Sequence, residues 1–258
     1  MNEKEIEDWK KVNKAKLFVS KNYFHHHAYE ILNTHNTLQQ DFIESLNSEI
    51  AIETRVKKTK LKETRAIKAS SLNIELRKLL DEKLKSEVKF EVNEEKGVFY
   101  FSSIKNAIGG FDFAVLDHER NLTALRNLCF GELHYHDGMK RWNKFLEKNE
   151  DLKKIAETLI ASENLGVNIT NSNYSNFRPL IVGEIQFGNW ALAYRDFFKV
   201  LKANVQNSID CLIYLVPTGN LENMLSDGIV TFDKTTKILQ EFTKVVSVPV
   251  WVIGLDIE

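Results

Sequence analysis

The sharpest chemical feature of the sequence is a glutamate and a glutamine two residues apart at the end of an apolar run. Residues 180–182 are apolar and lead directly into residues 183–187, which contain Glu184, Ile185 and Gln186. Residues two apart on a strand project from the same face, and an ionised glutamate in an apolar strand is costly unless it is paired or metal-bound. Together with the Ile185 carbonyl, these side chains offer oxygen ligands for a hard cation such as Mg²⁺. Taken alone the signal is weak, because Glu-x-Gln occurs by chance in many strands.

A second group of possible ligands lies near the middle of the chain. Its members are Glu132, His134, His136 and Asp137. A His-x-His pair on a strand can bind zinc, which would suit a metal-dependent hydrolase. No second cluster lies at a defined spacing from this one, so zinc is kept as an alternative to the Glu184–Gln186 site.

Residues 53–68 are the most basic stretch of the chain and contain only two acidic residues, Glu53 and Glu63. The basic residues are Arg55, Lys57, Lys58, Lys60, Lys62, Arg65 and Lys68. Lysine and arginine supply the sequence-independent part of affinity for nucleic acid. The stretch is therefore either a phosphate-contacting arm or an ordinary solvated face.

Three apolar runs in the C-terminal part of the chain predict the strands that hold these residues. The runs are residues 180–187, 212–216 and 248–255. Helical periodicity separates the first two runs, and residues 233–244 form another amphipathic pattern before the last. Strands joined by helical crossovers pair in parallel within a covered sheet. The order of elements therefore predicts an α/β fold.

The remaining predictions concern helices and one hairpin. In the helix that follows the first strand, an apolar stripe is predicted from Trp190, Tyr194, Phe197 and Leu201, and the other faces are assigned to Arg195, Asp196, Lys199 and Lys202. Residues 1–24 predict a helix, residues 28–50 an amphipathic helix, and residues 141–164 a charged helix. Residues 87–101 alternate and predict a hairpin.

Composition excludes several classes of protein. Thirty-five basic and 36 acidic residues give a net charge of −1 over 258 residues, which excludes a uniformly cationic nucleic-acid binder but not a local basic patch. The two cysteines, Cys129 and Cys211, are too few for a disulfide framework. No apolar run is long enough for a membrane span, and the first residues lack the apolar core of a signal peptide. We expect a cytoplasmic protein that does not enter a membrane.

A family resemblance sharpens the interpretation of Glu184 and Gln186. Residues 181–189 resemble the active-site strand of the BglII/BstYI group of type II restriction endonucleases, which are PD-(D/E)XK nucleases with Glu-x-Gln in place of Glu-x-Lys. The resemblance continues through residues 190–202, 209–217, 224–229 and 252–255, and more loosely reaches residues 27–33 and 71–73. It implies a single nuclease domain over residues 1–258, with a mixed central sheet flanked by helices. Residues 95–165 have no counterpart and are expected to be a family-specific insertion.

The chain departs from the family at one metal ligand. The family has an aspartate nine residues before the glutamate and followed by phenylalanine, whereas the closest counterpart here is Asn176, eight residues before Glu184 and followed by Phe177. An asparagine carbonyl still ligates Mg²⁺, but one negative charge is lost. Three interpretations stay open: an inactivating substitution, native tuning, or a carboxylate supplied from elsewhere. The candidates for that carboxylate are Asp112, Asp117 and Asp137.

The resemblance also implies DNA-contacting residues outside the strand. Asn189 matches a position that contacts bases or phosphates in the family, and an asparagine can bond adenine bidentately. Ser226 and Asp227 match the loop that reads the major groove, although Ser-Asp-Gly is otherwise an ordinary turn. Lys57, Lys58, Lys60 and Lys62 are the candidates for phosphate contacts.

The function implied by the resemblance is hydrolysis of double-stranded DNA at a short palindrome, with GATC-containing sites read by the relatives. Glu184, Gln186 and Asn176 would be catalytic, and Glu184, Ile185 and Asn176 would bind Mg²⁺, with Mn²⁺ able to substitute. A homodimer is expected because a two-fold enzyme matches a palindromic site. The alternative is a nuclease-dead or weakened DNA-binding protein of the same fold, as the asparagine suggests.

Overall fold

A computed structural model describes most of the chain, which divides into two compact units. The described residues are 2–10, 14–35, 37–58, 63–84, 88–92, 110–115, 118–130, 136–161, 179–205 and 209–258. The first unit comprises residues 1–86, 183–201 and 211–258, and the second comprises residues 87–182 and 202–210.

The described strands and helices alternate along the chain. They are α1 (Glu3–Lys10), β1 (Lys14–His25), α2 (Ala28–Asn33), α3 (Leu38–Leu46), β2 (Ser48–Ala51), β3 (Thr54–Lys58), β4 (Glu63–Ile67), α4 (Ala69–Lys83), β5 (Val88–Val92), β6 (Phe111–Val115), α5 (His118–Phe130), α6 (Gly138–Lys148), α7 (Glu150–Ala161), β7 (Ile181–Ile185), α8 (Ala191–Val205), β8 (Cys211–Pro217), α9 (Gly219–Met224), α10 (Phe232–Glu241) and β9 (Val250–Ile257). None of these described helices is long and apolar enough to cross a membrane.

The first unit is built on a mixed sheet, as the sequence predicts. Its strands run in the order β2-β1-β9-β8-β7. Strand β1 is antiparallel to both β2 and β9, whereas β8 and β9 are parallel. Every residue of β7 and β8 is buried, which is typical of central strands covered on both faces. The α/β class and the mixed central sheet flanked by helices are confirmed.

Strands β7 and β8 pair in the direction that the helical crossover predicts. The backbone N–H of Asp210 donates to the Leu180 carbonyl at 2.9 Å, and that of Gln186 donates to the Leu215 carbonyl at 2.9 Å. The partner numbers rise together along both segments, as they do in a parallel pair. The side chains at the carboxyl end of β7 therefore lie beside those of β8.

Two predictions for the N-terminal part were wrong. The helix predicted over residues 1–24 ends at Lys10, and residues 14–25 form β1. This charged strand is held by backbone pairing with neighbours on both sides, and such tertiary pairing overrides local propensity. The helix predicted over residues 28–50 is two short helices followed by β2. The first of these helices ends where the N–H groups of Thr34 and His35 donate to carbonyls three residues earlier. Ile50 pairs with Ala15 in the sheet.

The second unit contains an antiparallel strand pair and a helical cluster. Strand β5 pairs with β6, while the second strand of the hairpin predicted at residues 87–101 lies outside the described residues. The charged helix predicted at residues 141–164 is two helices, α6 and α7. They pack with α5 around a core of Leu122, Leu125, Cys129, Trp142, Phe145, Leu152 and Ala156. The interpretation of residues 95–165 as an insertion stays a prediction.

Candidate active site

Glu184 and Gln186 lie at the carboxyl end of β7 and are both buried. Their exposed fractions are 5% and 8%. They share a face of the strand, because both contact α8: Glu184 through Lys199 and Gln186 through Asp196. The structure thus brings together the two side chains that the sequence singled out, and it adds two charged partners that the sequence analysis did not assign to the site.

Lys199 is the first of these partners. Its ammonium donates a hydrogen bond to Oε1 of Glu184, and the two side chains are 7% and 6% exposed. A buried carboxylate needs such a partner, because desolvation disfavours an unpaired charge. The predicted apolar stripe was wrong in part: Trp190 is 46% exposed, whereas Lys199 and Asp196, which were assigned to other faces, are buried. The available signal was their spacing of three residues, which puts a carboxylate and an ammonium on one side of the helix.

Asp196 is the second partner and is completely buried. Its Oδ2 accepts from Nε2 of Gln186 at 2.8 Å and from the Tyr214 hydroxyl at 3.1 Å. Its Oδ1 accepts from Nη2 of Arg195 at 3.0 Å. Burial, reinforced by the negative charges of Asp196 and Glu184, raises the pKa of Tyr214 well above its usual value. The hydrogen bond to Asp196 raises the pKa of Arg195, so the tyrosine stays neutral and the arginine stays charged.

The amide of Gln186 is fixed at both ends. While its Nε2 donates to Asp196, its Oε1 accepts from the backbone N–H of Gly188 at 2.9 Å. A Cβ added at position 188 would lie 2.8 Å from that same Oε1, so a larger residue there would displace the amide. The orientation of the amide is therefore set by a carboxylate on one side and a backbone N–H on the other.

Asn73, on helix α4, contributes a hydrogen bond to the backbone of the candidate site. Its Nδ2 donates to the carbonyl oxygen of Ile185 at 3.2 Å, the backbone oxygen that the sequence analysis proposed as a ligand. Asn73 belongs to residues 71–73, where the family resemblance is loose, and no pattern in the sequence indicates it as a site residue. Sequence distance concealed it, since 112 residues separate the two partners.

The donor atoms at the end of β7 suit an oxygen-preferring divalent cation. They are the Glu184 carboxylate, the Ile185 carbonyl and Oε1 of Gln186. Nδ2 of Asn73 donates to the Ile185 carbonyl, and the N–H of Gly188 donates to Oε1 of Gln186. Hard cations take carboxylate, amide and carbonyl oxygens, so these residues fit Mg²⁺. Within the described part of the chain, no group of three or more histidine, cysteine, aspartate or glutamate side chains could hold a metal.

Several predicted ligands lie outside the described residues, and the others are Asp112, His136 and Asp137. Asn176 and Asp117 are outside the described residues, as are Glu132 and His134 of the proposed zinc cluster. Asp112 is half-buried on β6, and His136 is exposed. Asp137 is also exposed and accepts from Nε of Arg141 at 2.7 Å, a hydrogen bond that lowers the pKa of its carboxyl group.

The loop that contains Ser226 and Asp227 is attached to the chain that follows Gln186. The N–H of Trp190 donates to the Gly228 carbonyl at 2.9 Å, and the N–H of Val230 donates to the Gly188 carbonyl at 2.8 Å. Gly228 adopts a positive φ of 71°, which a glycine allows at this turn. Asn189 lies at this junction, exposed, and its Oδ1 accepts from the N–H of Ala191 at the start of α8.

The basic stretch forms the antiparallel hairpin β3–β4, and its side chains contact the same loop. Nη2 of Arg55 donates to the Ser226 hydroxyl at 2.8 Å, and Nζ of Lys57 lies 2.7 Å from Oδ1 of Asp227. Residues predicted separately from the basic stretch and from the turn therefore lie together on one surface. The side chain of Lys58 and all of Lys60 and Lys62 are outside the described residues.

Comparisons with known proteins identify the class to which this fold and site belong. A family model described as restriction endonuclease BglII/BglIII matches residues 20–255. The chain therefore belongs to this family of restriction endonucleases. No curated protein gives a significant match to the sequence.

Two crystal structures of BglII resemble this chain. Restriction endonuclease BglII complexed with a DNA 16-mer has a TM-score of 0.51 and 11% identity, covering 93% of this chain and 77% of that one. Free BglII has a TM-score of 0.43 and 12% identity, with 93% and 78% covered. At this level of identity, the DNA-bound structure supports a common fold.

Proposed function

We propose that this protein is a type II restriction endonuclease that hydrolyses phosphodiester bonds of double-stranded DNA with Mg²⁺. One observation carries the proposal: Glu184 and Gln186 are buried side by side at the end of β7, and the loop of Ser226 and Asp227 is hydrogen-bonded to the residues directly after them. Backbone hydrogen bonds thus connect the candidate DNA-reading loop to the segment that directly follows the possible metal ligands.

The oxygens of Glu184, Ile185 and Gln186 would hold the cation, with Asn176 as a further ligand. Bound there, Mg²⁺ would polarise the scissile phosphate and lower the pKa of a water molecule. The protein supplies a prearranged set of oxygens. Asp196 and Gly188 hold the amide of Gln186, and Asn73 holds the Ile185 carbonyl. Such prearrangement lowers the cost of ordering the ligands when the cation and the phosphate bind.

Double-stranded DNA is the proposed substrate, and the surface made by the β3–β4 hairpin and the loop is the proposed contact. BglII has been crystallised with a DNA 16-mer, which supports the same substrate for this chain. Lys57, Lys58, Lys60 and Lys62 would contact phosphates, where cations release counterions and give affinity without sequence preference. Ser226, Asp227 and Asn189 would contact base edges, which carry the sequence information.

A homodimer acting on a short palindrome, such as one containing GATC, completes the proposal. A two-fold dimer presents the same loop to both halves of a palindromic site. The molar mass of the protein in solution, measured by light scattering with and without cognate DNA, tests the dimer independently of cleavage. A monomer in both conditions would contradict it.

The substitution at position 176 favours a second candidate, a weakened or nuclease-dead DNA-binding protein of the same fold. Asn176 stands where the family resemblance expects an aspartate, and an amide brings no negative charge to a divalent cation. Digestion of a sequenced plasmid in Mg²⁺ and in Mn²⁺ separates the candidates. Cleavage with ends that map to one repeated sequence supports the endonuclease. Sequence-specific binding with intact DNA in both metals supports the second candidate.

A further inference from the structure

The strongest unexplained feature of the site is that Lys199 lies between two buried carboxylates. Its ammonium contacts Oε1 of Glu184 and lies 4.0 Å from Oδ1 of Asp196. Asp196 is one helical turn before it on α8, and Glu184 lies on the neighbouring strand. A lysine ammonium is a compact charge on a flexible four-carbon stem, so it can move between these carboxylates without leaving the protein interior.

A divalent cation at Glu184 would meet this ammonium on the same carboxylate. Like charges repel by 332/(ε·r) kcal/mol per charge pair, and an effective dielectric of about 20 applies even to buried groups. For one charge of +1 and one of +2 about 4 Å apart, this repulsion would weaken cation binding by about a millionfold. Both cations can therefore use Glu184 only if the ammonium withdraws.

Asp196 is suited to receive the withdrawn ammonium. It is completely buried and is fixed by hydrogen bonds from Gln186, Tyr214 and Arg195. These contacts keep its carboxylate in place whatever Lys199 does. Movement toward Asp196 would also keep the charge of Lys199 paired, which a buried ammonium requires.

We propose that Lys199 is a positioning residue that holds the Glu184 carboxylate in place and passes to Asp196 when a divalent cation binds. The proposal rests on the metal site of the proposed function and adds a residue from α8 to it. Lys199 stabilises the carboxylate in the absence of the cation and competes with the cation for it. Stability and cation affinity should therefore respond to Lys199 in opposite directions.

The experiment measures Mn²⁺ binding without DNA, by electron paramagnetic resonance of the free ion, together with thermal unfolding of the same samples. Lys199→Met should unfold at a lower temperature than the parent without metal, yet bind Mn²⁺ about tenfold more tightly and gain more stability from it. Lys199→Gln keeps a neutral donor and separates the charge effect from misfolding. Lys199→Arg keeps the positive charge and should therefore match the parent in both Mn²⁺ affinity and unfolding temperature. Lys202→Met, on the same helix, is the matched control and should leave both quantities unchanged.

Asp196→Asn tests the second half of the exchange. It should weaken Mn²⁺ binding more in the parent than in the Lys199→Met background, where only its effect on the amide of Gln186 remains, since contacting residues give non-additive effects. Equal or weaker Mn²⁺ binding by both Lys199→Met and Lys199→Gln would overturn the proposal for Lys199. Glu184→Gln identifies a different failure: if it binds Mn²⁺ as the parent does, the metal site of the proposed function is wrong, and the role of Lys199 falls with it.

Discussion

Nε2 of Gln186 donates to Oδ2 of Asp196 at 2.8 Å, so a carboxylate on helix α8 fixes the amide at the end of strand β7. The same carboxylate accepts from Tyr214 on β8. Asp196 therefore joins two neighbouring strands to the helix between them. An Asp at this position is a structural requirement for the orientation of Gln186, even though it lies outside the Glu-x-Gln motif itself.

Asp196→Ala should destabilise the protein by about 3 kcal/mol or more, because removal of one partner of a buried, hydrogen-bonded charge leaves the others unpaired. Its loss would leave the amide of Gln186 and the Tyr214 hydroxyl without this acceptor. Urea unfolding at equilibrium measures the change. Asp233→Ala is the control: Asp233 is exposed and pairs with Lys21 at 2.9 Å, and such surface pairs contribute about 0–1 kcal/mol. Equal losses for the two variants would contradict the structural role of Asp196.

Neutralising Lys57, Lys58, Lys60 and Lys62 together to glutamine should weaken DNA binding to all sequences alike. It should also reduce the slope of log affinity against log salt, by about 0.9 for each phosphate contact removed. Fluorescence anisotropy at several salt concentrations measures both quantities. The matched control neutralises the exposed lysines of α6 and α7: Lys140, Lys144, Lys153 and Lys154. An unchanged slope would show that these lysines do not contact phosphates and that the basic stretch is an ordinary solvated face.

Asp227→Ala should lower the discrimination between cognate DNA and DNA with a single mismatch, since a base contact is worth about 1–3 kcal/mol. The variant also frees Nζ of Lys57, which lies 2.7 Å from Oδ1 of Asp227. Lys57→Met breaks the same ion pair from the other side and serves as the comparison. A loop that reads bases predicts lost discrimination in Asp227→Ala. Equal losses on cognate and random DNA would show that Asp227 acts only through the ion pair.

The sequence was sufficient to predict the strands that are buried on both faces. The apolar runs that became β7, β8 and β9 are buried on both faces, so their hydrophobicity alone identifies them. The prediction of a helix over residues 1–24 was wrong at β1, because charged residues such as Lys14 and Lys16 lie in a strand that is held by pairing with its neighbours. Lys199 and Asp196 were also missed as site residues. Periodicity shows which residues share a helix face, but only the packed structure shows that a polar strand end lies opposite that face.

Asn176→Asp should raise the cleavage rate if residue 176 is a metal ligand, most clearly at low Mg²⁺. Two carboxylates bind a hard cation better than one carboxylate and an amide. Single-turnover cleavage of duplex DNA across a range of Mg²⁺ concentrations measures the effect, and Asn173→Asp is the matched control. If Asn176→Asp is no faster at any Mg²⁺ concentration and the parent cuts at a normal rate, the missing carboxylate must be sought at Asp112, Asp117 or Asp137, each by its own alanine substitution.

The most direct test of the active site is single-turnover cleavage by Glu184→Gln on a duplex that contains the mapped recognition sequence. The variant keeps the size of the side chain but removes the charge that the cation needs. Cleavage should fall by at least a thousandfold, while DNA affinity and the far-ultraviolet circular dichroism spectrum stay close to those of the parent. Glu157→Gln, on the exposed face of α7, should cut as the parent does. Cleavage by Glu184→Gln at a near-normal rate would contradict the proposed site.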